Sequence, residues 1–212
     1  VKGNRVAPDP REVGEVARVL LEAGAPMIHA GQGCLYAEAW DELQELAELL
    51  QAPVMTTMPG KSAFPEDHPL ALGAATGSTS KQLKHFLNKA DLVFGIGCSF
   101  TRTNFGAAIP PGKTIVHSTL DPADVNKDYA ADHALIGDAK LVLQAIIAEI
   151  KKETGGEGHR NDRDVAPEIR AVKREWLDEW MPRLTSDEVP INQYRIIWDL
   201  LHNVDRANTI VT

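Results

Sequence analysis

The residues best placed for chemistry sit in two turns of one pattern, Gly31-Gln32-Gly33-Cys34 and Gly95-Ile96-Gly97-Cys98. Each grows out of a short apolar run, Pro26-Met27-Ile28-His29-Ala30 in one case and Leu92-Val93-Phe94-Gly95-Ile96 in the other. Runs this short and without alternation read as strands buried on both faces of a parallel sheet. In open α/β sheets ligands lie beyond the carboxyl ends of strands, where glycine lets a phosphate or ribose approach backbone N–H groups. Neither turn completes Gly-x-Gly-x-x-Gly, because Tyr36 and Phe100 stand in the third glycine's place. A tight strand-to-helix turn that holds no ligand is the other reading, and the spacing leaves both open.

Other side chains carry suitable groups with an equally plain structural alternative. Asp121, at the end of the run Lys113–Leu120, suits a ribose hydroxyl, although Asp-Pro also opens turns. Asp138 faces a ligand from a strand end or caps the helix that follows. Lys61 and Arg102 have the charge to pair with phosphate, whereas most surface cations are simply solvated. His29, His68 and His117 lack metal spacing, and His29 and His117 fall on strands, where hydrogen-bonded core histidines are expected. Cys34 and Cys98 lack Cys-x-x-Cys spacing and read as two free thiols. No nucleophile has a base at a recognisable spacing. These residues argue for binding rather than reaction.

The elements that must position them follow from capping and periodicity. Asp9 and Pro10 start a helix with Val13, Val16, Ala17, Leu20 and Leu21 on one face, and Gly24 ends it. A helix over about Ala37–Leu50, a strand at Pro53–Thr57, a long loop over 58–69 and a short strand at Leu70–Gly73 come next. A helix at Lys81–Asn88 leads into the central run, and strands at Lys113–Leu120 and Ala134–Ile136 follow. Strands alternating with helices predict a doubly wound, Rossmann-like parallel sheet of six strands in the order 3-2-1-4-5-6. Composition changes near Lys151, so residues 1–152 read as this α/β domain and 153–166 as a flexible linker. Residues 167–212 read as helices and a strand, Thr209–Thr212, too few to make a core.

The chain has 212 residues, 43 % hydrophobic and 25 % charged, which places it among globular proteins. Its net charge of −8 excludes non-specific nucleic-acid or anionic-membrane partners. No apolar run approaches the roughly 20 residues of a membrane helix. The start has no apolar leader and no Met, so the chain reads as a fragment, and two free thiols make the expected setting cytoplasmic.

Pro53-Val54-Met55-Thr56-Thr57 with Gly60-Lys61, Phe64-Pro65-Glu66-Asp67-His68-Pro69 running to Gly73, Ala90-Asp91-Leu92-Val93 with Gly97, and Leu120-Asp121-Pro122 with Gly137-Asp138 form a specific train. Through them residues 10–151 resemble the central domain of thiamine-diphosphate-dependent enzymes of the acetolactate synthase, pyruvate oxidase and oxalyl-CoA decarboxylase type. Ile191–Thr212 resembles the start of the pyrophosphate-binding domain that follows in such enzymes. The resemblance implies a parent that decarboxylates or carboligates 2-oxo acids with thiamine diphosphate and Mg²⁺, held by flanking domains, in a homodimer or homotetramer. This domain is then non-catalytic, either structural or binding FAD or ADP. Contacts map onto Gly31, Gly33, Thr56, Thr57, Gly73, Gly97, Ser99, Asp121 and Asp138. FAD-binding members carry Arg at the place of Ser99 and Asp at that of Thr119, and Ala74–Ser78 replaces their Gly-Met-His-Gly loop. FAD, ADP and an empty edge therefore all stay open. So do two readings outside the family, a stand-alone nucleotide-binding module and a purely structural oligomer contact.

Overall fold

The computed structural model describes residues 4–104, 106–156, 164–205 and 207–211. It divides into two compact units, residues 1–169 and 170–212. The middle of the expected 153–166 linker, residues 157–163, lies outside the described residues.

The first unit is a parallel sheet between helices. Helix α1 (Pro10–Glu22) starts where Asp9 accepts from the Arg11 N–H at 2.9 Å, and it buries Val13, Val16, Ala17 and Leu20. It ends on Ala23 rather than through a glycine conformation, because the Gly24 and Ala25 N–H groups donate to the Asp91 carboxylate at 2.6 and 2.8 Å. Strand β1 (Pro26–Ala30) is buried throughout. The helix expected over 37–50 is α3 (Trp40–Leu50), which starts only after Glu38 at φ +54°, and a short helix α2 (Gln32–Tyr36) that the sequence reading did not foresee precedes it.

Strands β2 (Val54–Thr57) and β3 (Ala71–Ala75), helix α4 (Lys81–Lys89), strands β4 (Leu92–Ile96), β5 (Thr114–Thr119) and β6 (His133–Ile136), and helix α5 (Ala139–Thr154) complete the layer set. All six strands are parallel in the order β3-β2-β1-β4-β5-β6, as the sequence predicts. Helices α1, α3 and α5 pack together as one layer. Right-handed crossovers put the β3–β4 connection, which contains α4, on the opposite face, and the β4–β5 connection with it. That second connection has no helix among its described residues; Phe100 and Ile109 are buried there instead.

Helix α6 (Ala166–Leu184) begins inside the first unit. Val165 and Ile169 join its core, and Glu168 receives the Lys89 ammonium at 2.6 Å and faces His85 at 2.8 Å. In the second unit Trp176 and Trp180 stack at 5.7 Å and Tyr194 meets Trp180 edge-on at 4.9 Å. Helix α7 (Gln193–Asn203) leaves Ile196, Ile197 and Leu201 at least half exposed. The strand expected at Thr209–Thr212 is absent over Thr209–Val211, and Thr212 lies outside the described residues. Every strand among the described residues belongs to the first unit's sheet, so those three residues have no ladder partner.

Candidate functional site

The carboxyl edge of the sheet brings the glycine turns together by hydrogen bonds between backbones. Gly31 N–H donates to Ile96 O at 2.9 Å, Gly33 N–H to Gly97 O at 2.8 Å, and Gly97 N–H to Ser118 O at 2.9 Å. A Cβ on Gly31 would lie 2.2 Å from Gly97 O, and one on Gly33 would lie 2.7 Å from Gly97 Cα. Gly97 itself holds φ +62°, a conformation that favours glycine. The absent side chains let the β1–α2 turn lie directly on the end of β4. Those three N–H groups are taken up by carbonyl oxygens of the chain.

The turn after β2 joins the same cluster. Thr57 Oγ1 accepts from Gly60 N–H at 3.0 Å, and a Cβ on Gly60 would lie 2.8 Å from the Gly31 carbonyl carbon. Thr56 is buried beside Ala30 in the register. The remaining candidates show only local contacts. Gly73 lies in edge strand β3 at φ +90°, with no atom near the place of a Cβ. Ser99 Oγ is 2.8 Å from Thr101 Oγ1. Asp121 is exposed and accepts from Ala123 N–H at 2.9 Å, and its own N–H donates to Thr119 Oγ1 at 3.2 Å. Asp138 caps α5 by accepting from Leu141 N–H at 3.3 Å, with Arg5 at 3.7 Å. The structure thus joins Gly31, Gly33, Gly97 and Thr57 through Gly60, while Gly73, Ser99, Asp121 and Asp138 stand apart.

Burial governs the titratable groups at this edge. Burial pushes the Cys34 and Cys98 thiols up to about 12, so both are protonated and unreactive at neutral pH. No three His, Cys, Asp or Glu side chains converge as metal ligands among the described residues. His117 behaves as the sequence predicts, with Nε2 2.8 Å from Cys98 O. His29 does not: it is 8 % exposed, and neither ring nitrogen has a partner. The residues level with it on the two neighbouring strands are Met55 and Gly95, whose side chains offer it no strong acceptor. That correction depends on register and could not be read from spacing.

Two features had no strong signal in sequence. Asp91 fastens the α1–β1 turn to the start of β4 through the two bonds given above, a role that only its sequence-distant partners reveal. A cavity of roughly 470 Å³ is lined by Trp40, Phe64 and Pro65 with Lys61 and Glu66 paired at 3.7 Å. None of the nine mapped positions lines it.

With this geometry in hand, the comparisons with known proteins agree. Residues 13–146 match the family described as "Thiamine pyrophosphate enzyme, central domain". A protein of Methanocaldococcus jannaschii, named a probable acetolactate synthase large subunit, is 33 % identical over 217 residues, covering 96 % of this chain and 34 % of its own. The acetolactate synthase of Mycobacterium bovis is 32 % identical over 146 residues, 68 % of this chain and 24 % of its own. The crystal structure of benzoylformate decarboxylase from Polynucleobacter necessarius superposes with a TM-score of 0.62 at 30 % identity, covering 77 % of this chain and 30 % of its own. The chain spans about a third of the length of the first of these relatives and less of the others. No helix among the described residues is long and apolar enough to cross a membrane. The chain belongs to the thiamine pyrophosphate enzyme family, and what it contains of that family is the central domain.

Proposed function

We propose that this chain is the non-catalytic central domain of a thiamine diphosphate- and Mg²⁺-dependent enzyme of the acetolactate synthase type, one that decarboxylates and carboligates 2-oxo acids. The observation that supports it is the family match over residues 13–146, laid on a sheet edge without a nucleophile, base or metal cluster among the described residues. The residues present do not fit Mg²⁺ and a diphosphate: among the described residues no three His, Cys, Asp or Glu side chains converge, and Gly-Asp-Gly does not occur in the sequence. The carbanion-stabilising chemistry of thiamine is therefore assigned to flanking domains, and this domain to scaffolding between them. On the same reading, 153–166 is a linker, 167–212 opens a pyrophosphate-binding domain, and the whole enzyme is a cytoplasmic homodimer or homotetramer.

A second reading adds an adenine nucleotide, FAD or ADP, along the carboxyl edge. It is favoured by the exposed Asp121 carboxylate, the partly exposed Asp138 and Ser99, and the open backbone at Gly73. The nucleotide's ribose hydroxyls suit those acceptors, whereas its diphosphate finds the Gly31, Gly33 and Gly97 N–H groups already bonded.

Thermal-shift titration of the chain with FAD, ADP, NAD and Mg²⁺–thiamine diphosphate separates the readings. A ligand at about 100 times its Kd adds roughly 2.7 kcal/mol, a shift of several degrees at this size. A shift with FAD or ADP supports the nucleotide reading, and none supports pure scaffolding. A shift with Mg²⁺–thiamine diphosphate overturns the assignment of that cofactor to flanking domains. For the parent enzyme, the expected result is consumption of a 2-oxo acid by the intact gene product only when thiamine diphosphate and Mg²⁺ are supplied.

A further inference from the structure

Next to the glycine cluster lies a polar group that the fold leaves unsatisfied. His29 is the second-last residue of β1, level with Gly95 of β4, which is in turn level with His117 of β5. Because Gly95 has no side chain, the Phe100 ring drops into this row: a Cβ on Gly95 would lie 2.2 Å from Phe100 Cζ. The ring centroid is 5.7 Å from that of His29 and 4.8 Å from that of His117. To reach this place Phe100 holds φ +47°, the left-handed region that a bulky residue occupies only under strain. The Cys98 thiol is buried under the same segment, its Sγ 2.9 Å from the place of a Gly95 Cβ. At its far end the segment is fastened by Arg102, whose N–H donates to Asp128 Oδ2 at 2.8 Å and whose guanidinium lies 4.5 Å over the Tyr129 ring.

We propose that residues 98–102 form an acid-released strap, in which a proton taken up by His29 lifts Phe100 off Gly95 and bares the Cys98 thiol at the carboxyl edge of the sheet. A neutral imidazole without partners costs only its lost water hydrogen bonds; an imidazolium there has two donors and no acceptor. The ring cannot escape with its strand, because β1 is bonded to β2 and β4 on its two sides. The strained segment above it is the part that can yield, and lifting it releases the φ +47° conformation.

The other titratable groups around the ring do not supply a counter-charge. His117 is itself pushed down by burial, against its bond to Cys98 O and the nearby Asp124 carboxylate. The Cys98 thiol stays protonated, and Tyr129 and Arg102 lie beyond Phe100. The His29 neighbours on β2 and β4 are Met55 and Gly95. Burial alone pushes the His29 imidazole down to about 4, so release belongs to acid and the strap is shut at neutral pH.

The test reads the thiol. Cys34→Ser leaves Cys98 as the only cysteine, and a dipyridyl disulfide labels thiols in acid as well as at neutrality. The expected result is a labelling rate that rises about tenfold or more between about pH 7 and about pH 4.5, with the far-ultraviolet circular dichroism unchanged. His29→Met in the same background abolishes the rise, His117→Gln keeps it, and Phe100→Ala labels fast at neutral pH. The proposal is overturned if the His29→Met protein shows the same rise, if labelling appears only together with loss of helical signal, or if Phe100→Ala leaves the thiol protected.

Discussion

Replacing Gly33 by alanine asks what the glycines at the sheet edge are for. The new methyl carbon would stand 2.7 Å from Gly97 Cα, about 0.7 Å short of ordinary contact, and both atoms belong to the backbone frame. Relief requires α2 to move off β4, which stretches the 2.8 Å bond from Gly33 N–H to Gly97 O. Overpacking of this kind costs about 1–3 kcal/mol and an unmade buried backbone bond about 1–3 more, so the expected loss is about 2–6 kcal/mol. In a chain of this size that lowers Tm by roughly 4–24 °C. Gly14 is the internal control: it lies within α1 with no atom within 4 Å of its missing Cβ, and Gly14→Ala is expected to add about 0.5–1 kcal/mol. Urea unfolding of the two variants beside the parent chain measures both differences. If Gly33→Ala stays within about 0.5 kcal/mol of the parent while losing a bound nucleotide, the glycines serve a ligand and the packing argument is wrong.

Two further outcomes are expected. Asp91→Ala removes the acceptor for two backbone donors, at 2.6 and 2.8 Å, and should cost about 2–4 kcal/mol in urea unfolding. The stability of the whole chain should also fall in acid through His29. Its imidazole titrates near 6.5 when unfolded and about 4 when folded, so the unfolded state binds the proton first. That contribution is absent above about pH 6.5 and grows to roughly 3 kcal/mol of destabilisation by about pH 4, and His29→Met should flatten the difference between urea midpoints at the two ends.

The sheet was legible because parallel strands buried on both faces write themselves as unbroken apolar runs. Leu92–Ile96 and Pro26–Ala30 are such runs, and the crossovers between them fix the strand order. Asp9, Asp121 and Asp138 were legible as turn or helix starters because capping is local chemistry. Five residues are too few for a periodic signal, so α2 went unforeseen, and the later start of α3 past Glu38 depends on a backbone angle no pattern encodes. A glycine says only that a side chain would be in the way. Whether the obstacle is a ligand or another strand is a matter of register, and here Gly31, Gly33 and Gly97 meet one another. The same holds for His29, whose neighbours Gly95 and Met55 are dozens of residues away in sequence. Thr209-Ile210-Val211 has β-forming side chains, but pairing needs a second strand that those residues cannot specify.

Heredity and packing draw the edge of this domain in different places. The family match stops at residue 146, yet Val165 and Ile169 are counted among the interior side chains of the sheet domain, and Glu168 grips α4. A chain cut where the family match stops would therefore lose the end of α5 and open holes where those two side chains stood. The packed core reaches to Ile169, so a shorter excision exposes interior that the longer piece covers.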